Sequence, residues 1–193
     1  MIFHRAGLKN ALRPIRALLC DDWDWFKRDY PDHLRDPLSQ NMCFITSAYL
    51  YHLFTHVGMT EWKLREGHPF VDEFDMDSNR PTGGMLDRHQ KWQAHTWLEH
   101  DQGWILDLTA DQFGYAPIII TKSADYRYKH NLPEGQILAR LADCKVCHEW
   151  LEHHQDDGEK RQDIEGFRAL MNQTHQMDMV LSCRKGPLEE AAL

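Results

Sequence analysis

Apolar residues recur at near-helical spacing between Leu8 and Tyr30, with Leu12, Ile15, Leu18, Leu19, Trp23 and Phe26 on one stripe. Pro14 and the acidic pair Asp21-Asp22 inside that stretch predict two short helices rather than one, because an interior proline removes a helical hydrogen bond. Asp21, Asp22 and Asp24 read as a solvated helix end, not as a carboxylate metal site. Tyr30-Pro31 to Pro37-Leu38 reads as a connecting loop, since a residue preceding proline is pushed out of helical geometry. The strongest helix signal follows. Phe44, Ile45, Ala48, Tyr49, Leu53 and Phe54 form a broad apolar face, Ser39 or Asn41 can cap its start, and Gly58 stands where a C-terminal glycine belongs.

From Glu66 to Met85 the chain is polar and broken by Pro69, Pro81 and Gly83-Gly84, which predicts a long loop with room for one short strand. Residues 92–97 and 104–108 suit two strands joined as a hairpin through Glu99 to Gly103, and residues 117–121 suit a third. Helical spacing returns from Ile137 to His153 and from Ile164 to Met171. Helices, then a small antiparallel sheet, then helices predict an α+β domain. The 193 residues form one domain on this reading, with its core at about 38–121 and Gly186 to Leu193 as a candidate tail.

Composition narrows the function classes. Hydrophobic residues make up 42% of the chain, and seven Trp, six Tyr and eight Phe supply large core pieces. The formal charge of −8 is spread along the chain, so there is no basic face of the kind that binds nucleic acid. No stretch approaches the roughly 20 apolar residues that span a bilayer. The N-terminus lacks the apolar block of an export signal, so cytoplasmic residence is the expectation, with signal-free secretion as an effector the alternative. The five cysteines Cys20, Cys43, Cys144, Cys147 and Cys183 are therefore read as reduced thiols.

Cys43 falls in the first turn of the predicted helix, where unpaired backbone N–H groups and the positive dipole end favour a thiolate. Its own N–H can face a developing oxyanion, with a side-chain amide of Gln40 or Asn41 as a second donor. Alone, Cys43 reads better as a small buried hydrophobe. The hairpin changes that. Pairing His95 with Asp107, Trp97 with Ile105 and Glu99 with Gly103 leaves residues 100–102 as the turn and sets His95 and Asp107 side by side on one face. Asp107 would then fix the His95 tautomer and stabilise imidazolium beside a thiolate, whereas a one-residue slip would separate them. The plainer alternative is a structural His–Asp contact on the strand surface.

A cysteine at a helix start (Cys43), then His95-Thr96-Trp97 on a strand, then a strand ending in Asp107-Leu108-Thr109, resembles the papain-like and transglutaminase-like superfamily. The continuation Ala110-Asp111-Gln112-Phe113-Gly114 is similar to prokaryotic and phage-borne papain-fold hydrolases. The resemblance covers roughly residues 38–121, and Phe44 stands where many members carry tryptophan. It implies a Cys43–His95–Asp107 triad acting through a thioester, with no cofactor. A peptidase, a glutamine deamidase and a transglutaminase-like enzyme remain open, each with a protein or peptide substrate. The 66–85 loop is expected to help form the substrate groove, with Trp92 and Trp97 as candidate walls and Gln112 as a further candidate contact. A papain-fold binding module without catalysis is the alternative from another class.

Two other motifs compete. Cys144-Lys145-Val146-Cys147-His148 has the C-x-x-C-H pattern of covalent haem attachment, which belongs to exported proteins. Zinc held by Cys144, Cys147 and one of His148, His153 or His154 is a further alternative, but helical spacing already accounts for the two cysteines, so no metal is assigned. His148-Glu149 with His153 is not a zinc-protease motif, since its histidines are five apart. His52 and His56, four apart on the Cys43 helix, are expected to face solvent.

Overall fold

The computed structural model of the chain describes residues 5–29, 37–69, 82–158 and 160–171. Cys183 and the candidate tail lie outside these residues, as does most of the expected 66–85 loop. Helix α1 (Arg5–Asp29) runs unbroken through Pro14, in place of the two expected helices. Its stripe is the reason. Leu12, Ile15 and Leu19 are fully buried, each worth about 1.5–3 kcal/mol, and the three together exceed the ~3 kcal/mol cost of one interior proline.

Helix α2 (Cys43–His56) starts at the expected cysteine and ends before Gly58, whose φ of 82° is the left-handed C-terminal conformation expected there. Neither predicted cap acts as one. Met42 holds the N-cap position without a side-chain bond, Ser39 donates instead to Asp111, and Asn41 takes a left-handed φ of 65°. Indole Nε1 of Trp23 donates to Thr46 Oγ1 at 3.1 Å, locking α1 onto α2. Ser47 Oγ donates to the Thr96 carbonyl at 3.0 Å, locking α2 onto the sheet.

Among the described residues seven strands follow: β1 (Trp62–Gly67), β2 (Gly84–Leu86), β3 (Trp92–Gln93), β4 (His95–His100), β5 (Trp104–Asp107), β6 (Ile119–Lys122) and β7 (Tyr128–Lys129). They form two antiparallel sheets, in the orders β1-β4-β5-β6 and β3-β2-β7. The single strand expected over 92–97 divides at Ala94, with Trp92 and Gln93 going to the smaller sheet. The Leu64–Leu98–Leu106–Ile120 row crosses the larger sheet and joins the principal core with α1 and α2. Met85, Trp97, Ile105, Ala110, Phe113, Ile119 and Tyr128 make a second, smaller core between the sheets. Gly67 and Gly84 join those sheets: a Cβ on Gly67 would sit 2.1 Å from the Gly84 nitrogen, so only glycine permits the approach.

The helix expected over 137–153 is two, α3 (Glu134–Asp143) and α4 (Lys145–Asp156), because Cys144 leaves helical geometry at φ −81°, ψ 83°. Last among the described residues is a helix, α5, at residues 160–171. Tyr49 Oη lies 2.9 Å from His154 Nδ1, and His154 Nε2 lies 2.8 Å from Asp22, which Lys160 also approaches at 3.5 Å. This buried network ties α1, α2 and α4 to the last helix. Asp22 is accordingly no part of a solvated helix end. The architecture is α+β, and among the described residues no helix is long and apolar enough to cross a membrane.

Candidate active site

His95 opens β4 and Asp107 closes β5, so both stand at the same end of the hairpin. The register differs from the expected one. Leu98 opposes Leu106, Glu99 opposes Ile105 and His100 opposes Trp104, which by continuation sets Asp107 opposite Trp97 rather than His95. Gly103 causes the shift. At φ 72° it takes the left-handed position that ends a three-residue loop, and its amide donates to the His100 carbonyl at 2.8 Å. The displacement amounts to two residues, and because side chains alternate with period two, His95 and Asp107 keep a common face as diagonal neighbours. His95 Nε2 donates to Asp107 Oδ2 at 2.8 Å, with both side chains wholly buried.

The carboxylate is held from every side. Thr109 donates to Oδ1 through its amide at 2.8 Å and its hydroxyl at 3.1 Å, while Tyr128 Oη donates to Oδ2 at 2.9 Å. Burial would raise the Asp107 pKa, but the His95 charge and these hydrogen bonds outweigh it and hold the group below the usual value. The imidazole sits among three aromatic rings: Phe113 edge-on at 4.8 Å, Trp97 stacked at 6.0 Å and Tyr128 at 6.3 Å. Burial pulls the His95 pKa down. The charge and hydrogen bond of Asp107, followed by the hydrogen bond and charge of Cys43, prevail and bring it up to about 10. Cys43 is therefore near enough to the ring to favour its charged form. Nε2 is already committed to Asp107, and His95 Nδ1 is buried without a partner in conventional hydrogen-bond geometry, so Nδ1 is the nitrogen left to the sulfur.

Cys43 itself is half-buried and is the first residue of α2, where its backbone N–H has no intrahelical acceptor. A clamp that sequence reasoning missed fixes the segment leading into it. Asp111 accepts from Ser39 Oγ at 2.6 Å and from Arg16 Nη2 at 2.6 Å, and Arg16 Nε donates to the Leu108 carbonyl at 3.0 Å. Asp111 thus joins α1, the segment before Cys43 and the turn after Asp107. Gln112 reinforces the joint by donating to the Thr109 carbonyl at 2.9 Å and accepting from the Asn41 amide at 3.4 Å.

The remaining expected residues divide. The half-buried Gln40 directs its amide to Asn41 Oδ1 at 3.4 Å, next to the segment that leads into Cys43. Trp92 is half-buried with Lys129 Nζ 5.0 Å over its ring. Trp97 is 1% exposed and packs on His95 and Tyr128, so it supports the imidazole. It also lines a cleft together with Glu99, Ser123 and Lys129. Tyr128 and Arg16 gave no sequence signal, since each acts through a contact distant in the chain. Compared with known proteins, the chain matches no family model, and no curated protein or solved structure is significantly similar to it.

Proposed function

We propose that the chain is a cysteine-dependent acyl-transfer enzyme of the papain-like or transglutaminase-like kind, with Cys43 as nucleophile, His95 as acid and base, and Asp107 as the group that orients His95. One observation carries the reading. His95 is buried with one nitrogen committed to Asp107 and the other without a partner, on a ring whose charged form Cys43 favours. A histidine serving structure alone would have both nitrogens satisfied, since a buried orphan costs about 1–3 kcal/mol. Here the vacant nitrogen is the one that would exchange a proton with the thiol.

The reaction follows from these positions. Cys43 Sγ, as thiolate, bonds to an amide carbonyl carbon of a protein or peptide substrate. The resulting oxyanion is met by the Cys43 N–H and an amide of Gln40 or Asn41. The carbon–nitrogen bond then breaks as His95 Nδ1 delivers its proton to the leaving amine, leaving a thioester on Cys43. Water, or a second amine, loses a proton to His95 as it bonds to the carbonyl carbon, and the carbon–sulfur bond breaks to restore the thiolate. Asp107 holds Nε2–H throughout, so Nδ1 always faces the sulfur.

Iodoacetamide labelling at neutral pH, read residue by residue by mass spectrometry, tests the reading. Cys43 is expected to react at least tenfold faster than Cys20 or Cys144, and His95→Ala is expected to abolish that advantage. Uniform labelling of all accessible thiols in the wild-type protein would remove the assignment. Substrate class is then found in cell extract, by comparing wild type with Cys43→Ala for cleavage products, cross-links or the mass gain of glutamine deamidation.

A further inference from the structure

Where α3 gives way to α4, the Cys144-x-x-Cys147-His148 motif lies against the middle of α2. Cys147 is fully buried in the principal core, which leaves no room for a porphyrin on that sulfur and sets aside haem attachment. On α2 the expectation that His52 faces solvent is corrected. It is half-buried, its ring centroid lies 4.3 Å from that of His148, and its buried Nε2 has no hydrogen-bond partner. One ligand atom each from His52, Cys147 and His148 falls within 4.8 Å of the others. Tetrahedral zinc with Zn–N near 2.0 Å and Zn–S near 2.3 Å needs ligand separations of about 3.3–3.8 Å, which small side-chain rotations supply from here. His153 and His154 do not belong to the group: His154 is taken by Tyr49 and Asp22, and His153 is exposed.

The geometry points to a zinc site formed by His52, Cys147 and His148, with Cys144, whose carbonyl accepts from the Cys147 thiol at 3.0 Å, as the neighbouring source of a fourth ligand in a Cys2His2 set. Two imidazoles and two thiols are a donor set suited to a structural, closed zinc site rather than to an oxygen-seeking cation. The unpartnered His52 nitrogen is the observation that ordinary helix packing leaves unexplained, because a buried ring nitrogen normally finds a partner. Metal here would pin α4 to α2 across the body of the domain. His52 stands nine residues beyond Cys43 on the same helix, about 13 Å along its axis, so the site is separate from the Cys43–His95 pair.

The test uses the full chain, stripped with chelator and kept reduced, in wild-type and Cys43→Ala forms so that the Cys43 thiol cannot supply the signal. Titration with Co2+ should give a thiolate-to-cobalt charge-transfer band saturating at one equivalent in both forms, bleached by one equivalent of Zn2+. Zn2+ should also raise the thermal midpoint. His148→Ala, at an exposed position that leaves the fold intact by circular dichroism, should weaken binding at least tenfold. Cys147→Ser should remove most of the band, and His56→Ala should change neither. Absence of a stoichiometric band in the wild type overturns the site. So does a band indifferent to both His148→Ala and His52→Gln, or recovery of Cys144 and Cys147 only as a disulfide that binds no metal.

Discussion

Asp107 accepts hydrogen bonds from His95, Tyr128 and both donors of Thr109, so the fold itself fixes its two oxygens in position. Two substitutions separate charge from shape. Asp107→Asn keeps the outline but removes the negative charge that outweighs burial at His95. The imidazolium should then be lost at lower pH, and Cys43 alkylation at pH 7 should slow by tenfold or more, measured as a second-order rate constant. Tyr128→Phe leaves the charge and deletes one donor to it. Hydrogen bonds to charged groups are worth about 1.5–3 kcal/mol, so urea denaturation should show a loss in that range while Cys43 labelling stays within a few-fold of wild type. If Tyr128→Phe slowed labelling as much as Asp107→Asn, the orienting carboxylate would not be the distinguishing element. A position is then legible in sequence when its partner is near in the chain or on a paired strand. His95 and Asp107 met that condition through alternation alone, whereas Tyr128 reaches Asp107 from a two-residue strand in the other sheet.

The β4–β5 hairpin shows why elements are harder than residues. Strand identity followed from alternation, but register depended on one backbone angle at Gly103, and a glycine reads equally well as a strand residue or as a left-handed loop end. A Cβ there would need φ 72° and would meet Ser123 Oγ at 2.9 Å. The left-handed conformation costs a non-glycine residue about 1–2 kcal/mol, so Gly103→Ala should lower stability by roughly that amount, by thermal or urea unfolding. A neutral or stabilising result would show that the loop tolerates another geometry. Helix α1 taught the opposite lesson. Pro14 is a strong local signal for a break, yet long-range burial of its stripe overrode it. The β1 strand was not read from the sequence, although Trp62 and Leu64 alternate with Lys63 and Arg65. Glu66 hid its end, because a buried glutamate makes sense only once Arg140 and His68 are seen to pair with it.

At the scale of the whole molecule, the buried pair links fold stability to pH, and the sign can be worked out. The folded-state pKa of His95 is raised from 6.5 to about 10. Its contribution is therefore fully present below about pH 6.5 and is lost progressively as pH rises toward 10. The Asp107 pKa is lowered from 3.8, so its contribution is present above that value and is lost as pH falls below it. Both act together between about pH 4 and 6.5. His52 and His100 oppose this on the acid side, because burial lowers their pKa values and their contribution is lost as pH falls below the ordinary histidine value of 6.5. The wild-type profile alone is thus a sum of opposed terms. The difference between wild type and His95→Gln isolates the pair: unfolding free energies measured from pH 5 to 10 should diverge most at pH 5–6 and converge toward pH 10. The limiting slope of the difference is about 1.4 kcal/mol per pH unit, one proton's worth. A difference that stayed flat across this range would mean that His95 is buried neutral. Nδ1 could not then hold a proton for the leaving amine, and the proton inventory proposed for thioester formation would have to begin with hydrogen on the sulfur.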